Sequence, residues 1–403
     1  MHNSEKKLPL SGIKVIELGQ IASGPFTGML FADLGADVVK VERPGVGDGM
    51  RSWPPLIGNE ESQEYSGNFA SLNRNKRSIT IDLKDDEQLG RLKKLCEQAD
   101  VLIENYRPGV LSRVGLGYKE LNQINPRLVY CSISGYGQKG PYAKKGAFDV
   151  TVQAISGMMS VTGEDSGPPV KCGVPVGDFV TGLYAAYCIL AAINEVQRTG
   201  KGTHIDCSML GSLLGISALQ TSEFYGTGMV PKRMGSAHPR NAPYQGFHAK
   251  DKPFVIAAGN DKLWKEVCEI VGIPELVNDS RFKTQILRAK NQVEISKILQ
   301  AFFETRDAEY WLAEFDSKGV PCAPINNFEE ILNDPHVQSM GLIKELELPN
   351  GIKSEYVGFP IFMSDFDFKL YRNPPKLGEH NMEVFRDWLE NENKISNNCK
   401  AYS

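Results

Sequence analysis

Between residues 13 and 137 the chain alternates short β-branched runs with stretches of helical length: IKVIEL, PFTGMLFADLGA, DVVKVE, then ADVLIENY and LVYCSISGYG. That alternation is the rhythm of a parallel α/β sheet with crossover helices. Each predicted strand runs into polar or glycine-rich residues, namely GQIASGP from Gly19, RPG from Arg43, NYRPG from Asn105 and SGYG from Ser134. In open parallel sheets the ligand crevice lies just beyond such carboxyl ends.

Residues 180–196, VTGLYAAYCILAAINEV, are apolar, rich in alanine and of helical length, and TGKG at 199–202 stops them. The pattern predicts a buried helix of the main domain, followed by a strand at HIDCSML. From 225 to 325 the character shifts. One strand-like run, PFVIAAG, is followed by charged amphipathic stretches such as LWKEVCEIVG and QVEISKILQAFF, which predicts a smaller α+β domain. The mixed segment after residue 325 is too small for its own core and is expected to dock on an earlier domain, with a polar tail after about Asn391. The expected organisation is a large domain over 1–224, a small domain over 225–325, and a return to the large domain over 326–403.

Composition narrows the function classes. At 403 residues the chain exceeds a usual single core, and 41% hydrophobic with 23% charged residues is ordinary for a globular protein. A net charge of -4 offers no general attraction for nucleic acid or anionic membrane, so small-molecule chemistry leads. Eight scattered cysteines without a CxxC pair argue for reduced thiols and against zinc or a disulfide framework. The six histidines show no HExxH or paired spacing, so no metal is expected. The lead-in MHNSEKKLPLSG lacks a signal-like apolar stretch, and no uninterrupted apolar run of about 18 residues suggests a span. These features place the chain in the cytoplasm.

Asp178 lies in CGVPVGDFVTG, immediately before the apolar stretch. Its position alone favours an N-cap that satisfies an orphan backbone N–H. A carboxylate flanked by glycines can equally serve as a nucleophile. Arg43, the NRNKR run at 73–77, Lys84, Arg113, Lys144 and Lys145 gather near predicted strand ends, where they are either solvated charges or a polyanion site. Gly45-Val46-Gly47-Asp48-Gly49 lacks phosphate-loop spacing and reads as a plain loop. His238, in GSAHPRNAPY, sits among groups able to bind a carboxylate, although a structural loop reads equally from these residues.

Taken in order, LSGIKVIELGQIASGPFTGMLFADLGADVVKVERPGVGD, SLNRNKRSITIDL, ADVLIENYRPGVLSRVGLGY, YCSISGYGQKGPY, GVPVGDFVTGLYAA and KGVPCAPINN resemble the family III CoA-transferases over about residues 8–385. The resemblance implies a doubly wound parallel-sheet large domain, a smaller α+β domain, and a homodimer of interlocked chains. It implies coenzyme A and acyl-CoA as substrates, with no tightly bound cofactor. It also makes Asp178 the nucleophile that passes through an aspartyl anhydride and an aspartyl-CoA thioester. By matched position it assigns CoA contacts to Gln20, Ile21, Ala22, Ser23, Arg43, Ile81, Lys84, Asn105, Tyr106, Arg113 and Lys145, and places Phe148 and Asp149 near the acyl group. Where related racemases carry a histidine base this chain has Phe148, which argues against an acyl-CoA racemase or epimerase. The RMGSAHPRNAPYQ, AAGND and GVPCAPINN segments look most like those of succinyl-CoA:glutarate and itaconate CoA-transferases. A dicarboxylate acceptor held by His238 and Arg240 follows from that likeness, with a monocarboxylate as the alternative.

Overall fold

The computed structural model describes residues 7–59 and 62–390. The first six residues of the lead-in and the polar tail after residue 390 lie outside the described residues. Two compact units emerge. The first takes the described residues up to 156, those of 172–221 and those from 338 onward; the second takes 157–171 and 222–337. The second unit thus begins and ends a little outside 225–325, and it includes a separate stretch, 157–171, whose Gly163 carbonyl accepts from the Gly235 backbone N–H at 2.9 Å.

The first unit is built on six parallel strands: β1 (Lys14–Leu18), β2 (Asp37–Glu42), β3 (Arg77–Thr80), β4 (Val101–Glu104), β5 (Val129–Ser134) and β6 (His204–Ser208). Their spatial order is β3-β2-β1-β4-β5-β6. Ile16 of β1 pairs with Val39 on one side and Leu102 on the other. Val15, Ile16, Val101, Leu102 and Ile103 are fully buried, as expected for strands covered on both faces. The helices that matter most here are α1 (Ser23–Asp33), α2 (Asp86–Glu97), α3 (Val176–Thr199) and α4 (Met209–Ile216).

Helix α3 starts four residues before the apolar run that announced it. Ala185, Ala186, Ile189, Ala192 and Val196 pack on the sheet, their small side chains letting helix and strands approach. The expectation of a fully buried helix needs correction, because Leu183, Tyr187 and Leu190 point outward and are exposed. By length and hydropathy α3 could also cross a membrane. Its alanine face against the sheet identifies it as a core helix instead.

Strand β3 is an edge, and the C-terminal segment covers it. Ser78 exchanges hydrogen bonds with His380, donating to its Nδ1 and accepting from its backbone N–H, while the Thr80 N–H donates to Asn381 Oδ1 at 2.8 Å. Trp388 is buried and donates to Asp37 at 2.7 Å. An edge paired in this way is closed to other chains.

The second unit holds a small antiparallel sheet, β7 (Tyr244–His248), β8 (Pro253–Ala257) and β9 (Cys322–Pro324), with β8 central. Helices α5 (Asp261–Val271), α6 (Gln292–Phe303) and α7 (Ala308–Ser317) belong to the same unit, and Phe254, Trp264, Phe303, Trp311 and Phe315 form its aromatic core.

Candidate active site

In a sheet ordered 3-2-1-4-5-6 the chain leaves β1 and β4 in opposite directions, and the loops after these strands part to leave a crevice. Here the crevice is a cavity of about 390 Å³, lined by the turn 20–23 after β1, residues 105–108 after β4, residues 133–136 after β5, and a loop from Ala143 to Phe148. Asp178 is the one carboxylate among the described residues that line it. This volume falls within the usual range for ligand pockets.

Two clamps shape the turn after β1. The Asn105 side-chain amide pairs with the Gln20 backbone like a strand neighbour, accepting from Gln20 N–H at 2.9 Å and donating to Gln20 O at 2.8 Å. The Asp48 carboxylate accepts the Ile21 N–H at 3.0 and 3.2 Å. Ile21 has φ +65°, a left-handed conformation that a β-branched side chain disfavours. The turn therefore depends on these clamps for its shape.

Asp178 is the third residue of α3, inside the first turn rather than at the cap, which Pro175 occupies without a side-chain bond. The capping role has passed to Asp149, whose Oδ1 accepts the Gly177 N–H at 2.8 Å. A Cβ at position 177 would stand 2.9 Å from that oxygen, so glycine leaves Asp149 its approach. Asp149 is held in turn by Gln153, which donates to its Oδ2 at 2.6 Å. Asp178 is thereby released from capping and faces the cavity. Burial pushes its carboxyl up to about 6, the neighbouring Asp149 charge adds to this, and hydrogen bonds from the Ser23 hydroxyl and backbone N–H oppose it. The carboxylate is ionised at neutral pH yet poorly solvated, a state suited to nucleophilic attack.

A second carboxyl, Glu104, is pushed by burial up to about 7, but it lies in a separate small cavity of about 50 Å³ with Ser132 and His204. There it accepts the Tyr106 N–H at 2.8 Å, which fixes the loop after β4.

Of the residues singled out from the sequence, Gln20, Ile21, Ala22, Ser23, Asn105, Tyr106, Lys145 and Phe148 line the cavity with Asp178. Lys145 stands over the Tyr142 ring at 3.7 Å. Arg43, Lys84 and Arg113 are exposed and do not line it, and the Ile81 side chain is buried in the core beneath. Asp149 acts from behind, through the backbone of α3. His238 and Arg240 belong to the second unit, where the His238 ring stacks on Tyr244 and Arg240 reaches Glu223 at 3.2 Å.

The basic run 73–77 needs correction as a polyanion site. Arg74 pairs with Asp33, Lys76 with Glu17 and Arg77 with Asp37, and all three basic side chains are buried. These partners are remote in sequence, so the run reads as a surface patch until the strands are assembled. Three site residues were missed. Arg107 and Tyr136 line the cavity from loops already marked as strand ends, and Asp48 hides in a glycine-rich segment that reads as a plain loop.

Known proteins share this sequence pattern and fold. The family model described as CoA-transferase family III matches residues 10–381. A human succinyl-CoA:glutarate CoA-transferase is 40% identical over 382 residues, covering 94% of this chain and 86% of the relative. A succinate–glutarate CoA-transferase of Agrobacterium fabrum is 40% identical, with 95% and 96% covered. An acetyl-CoA:oxalate CoA-transferase of Acetobacter aceti is 37% identical, with 97% and 98% covered. Among solved structures, a CAIB/BAIF family protein from Brucella suis superposes with a TM-score of 0.85 at 39% identity, covering 95% of this chain and all of that one. With the fold, the cavity and its single carboxylate in place, the chain belongs to CoA-transferase family III and is a CoA-transferase.

Proposed function

We propose that this enzyme moves coenzyme A from an acyl-CoA, with succinyl-CoA the leading donor, to a short dicarboxylate such as glutarate or itaconate, through covalent intermediates on Asp178. The observation that carries this reading is the lone cavity carboxylate, partly desolvated, at the start of a helix beyond the sheet's switch point. An Asp178 oxygen attacks the thioester carbonyl, forming an acyl-aspartyl anhydride and releasing CoA thiolate. The thiolate attacks the aspartyl carbonyl, giving an aspartyl-CoA thioester and the free donor acid. The acceptor carboxylate attacks that thioester, forming a second anhydride, and the thiolate then takes the acceptor acyl group and frees Asp178. Protons balance throughout, so no acid or base is required and ATP is not consumed. The helix N-terminus favours the anion between turnovers.

The same reading sets a pH dependence. Attack needs the ionised carboxylate, and burial raises its pKa, so activity is lost as pH falls. kcat/KM for the CoA ester is expected to fall with unit slope below about pH 6 and to be flat above it, as measured in a buffer series. A limb near pH 4 would mean that the carboxylate is not desolvated in the free enzyme.

The acceptor is read from the second unit. The Arg240 N–H donates to His238 Nδ1 at 3.2 Å, and the Arg240 guanidinium rests on Glu223, a carboxylate that the distal acid of a substrate could replace. Arg240→Ala is expected to raise the acceptor KM about 10- to 100-fold, the worth of a charged hydrogen bond, with CoA-ester binding nearly unchanged. Equal losses in both would count against this loop. Several relatives are named for dicarboxylates, among them glutarate, mesaconate and oxalate. A panel of succinyl-, acetyl- and glutaryl-CoA against glutarate, itaconate, succinate, mesaconate, oxalate and a monocarboxylate, read by mass spectrometry, identifies the pair. Phe148 has no titratable group to offer the cavity it lines, which leaves racemisation without that base.

Outward-facing Leu183, Tyr187, Leu190, Leu214, Ile216 and Leu219 support the interlocked homodimer as the working form, since apolar surface of this kind marks association. The cytoplasm is the proposed compartment, in line with eight cysteines scattered along the sequence without a CxxC pair.

A further inference from the structure

The turn that brings Ser23 into the cavity with Asp178 stands on charge with no route to solvent. The side chains of Glu17, Lys40, Asp48 and Lys76 have no exposed surface. Lys40 reaches Glu17 and Asp48, each at 2.9 Å, and donates to Gly19 O at 2.8 Å. Lys76 meets the other Glu17 oxygen at 2.7 Å and donates to Pro25 O at 2.7 Å. Asp48 takes the Ile21 N–H. Backbone groups at 19, 21 and 25 therefore all end on one ionic cluster. Even α1 makes room for it, because a Cβ at Gly28 would lie 2.1 Å from Glu17 Oε2.

Burying four ions is a poor way to gain stability, since apolar residues of similar volume do as well or better. What the ions supply is direction. Lys40, Lys76 and Asp48 each fix a backbone carbonyl or N–H of the turn while Glu17 holds the two ammonium groups, and together they impose the left-handed Ile21 that an unconstrained chain would relax. Two residues on, Ser23 is buried, opens α1 and lines the cavity beside Asp178.

We infer that this cluster is a positioning device for the nucleophile: Asp48 and Lys40 fix the turn 19–25 so that Ser23 orients the Asp178 carboxylate for attack. The inference rests on Asp178 being the nucleophile. Ser23 and Asp48 then act through one contact, and their losses must not add. The other charged groups facing Asp178 are Asp149, behind the start of α3, and Arg107 and Lys145 across the cavity; these variants leave all three in place.

The test uses the full-length enzyme with Ser23→Ala, Asp48→Asn, the double variant and Ser23→Thr, and reads both the pH profile of kcat/KM for succinyl-CoA and hydroxamate formation at Asp178. Ser23→Ala and Asp48→Asn are each expected to move the acid limb up by about half to one pH unit, because a bond to the charged form is lost. Each is also expected to lower kcat/KM about 10-fold, with the double variant no worse than Asp48→Asn. Ser23→Thr, which keeps the hydroxyl, should hold the limb near its original place. Additive losses with an unmoved limb would overturn the inference and leave Asp48 merely structural. Ser23→Ala removes no charge, so an unmoved limb in that variant is decisive even if Asp48→Asn does not fold. Failure of the underlying reading is separately visible, as an unaltered enzyme that forms no hydroxamate at Asp178.

Discussion

Asp178→Asn is expected to abolish transfer, lowering kcat on the order of 10⁴-fold or more, as loss of a covalent nucleophile does elsewhere. The amide nearly matches the carboxylate in shape, and the charge of Asp149 remains to cap α3 through Gly177. Folding should therefore survive, with a circular dichroism spectrum and unfolding midpoint close to those of the parent. Removal of a partly buried charge that is raised by desolvation should cost no stability at neutral pH. A large kinetic loss on an intact fold separates nucleophile from cap. If Asp178 were only a helix-start residue, the same substitution would leave most activity and lower stability instead.

Lys40→Met carries the largest expected stability effect. The ammonium is fully buried, and although desolvation pulls its pKa down, the charges of Glu17, Asp48 and Glu42 outweigh it and hold the group protonated well above its ordinary range. Substitution takes the ammonium from two carboxylates and the Gly19 carbonyl at once, leaving Glu17 with Lys76 and Asp48 with backbone N–H groups. Breaking one partner from a buried pair costs about 3–5 kcal/mol, which urea unfolding should register as a lower midpoint. Lys265→Met makes the contrasting control. Lys265 is 62% exposed and sits 3.7 Å from Glu269, so its loss should cost less than about 1 kcal/mol. Comparable losses in both variants would mean that the Lys40 cluster is more hydrated than its burial implies.

The two substitutions also mark what was legible in the sequence. The strands could be read because parallel strands buried on both faces need continuous runs such as VIEL and VLIE. Their C-terminal ends were legible for the same reason, and most of the cavity lining comes from them. Lateral order was not encoded in any run, and neither was pairing between distant charges. Lys76 and Arg74 looked like surface cations because Glu17 and Asp33 come from other elements. Asp48 looked like a turn residue because aspartate among glycines usually is one. Asp178 was placed at the boundary of an apolar stretch, but whether it capped the helix depended on Asp149, nearly thirty positions earlier, arriving at Gly177. The C-terminal return was expected from size alone, whereas its target, the open edge of β3, became visible only with the sheet assembled.

Trapping reads the proposed covalent bond at Asp178 directly. The enzyme is incubated with succinyl-CoA and then hydroxylamine, digested, and analysed by mass spectrometry on the peptide containing Asp178. The expected product is a hydroxamate on that side chain, dependent on the CoA ester and absent from Asp178→Asn. An active enzyme that carries no modification at Asp178, or carries it on another carboxylate, would contradict a nucleophilic role for Asp178.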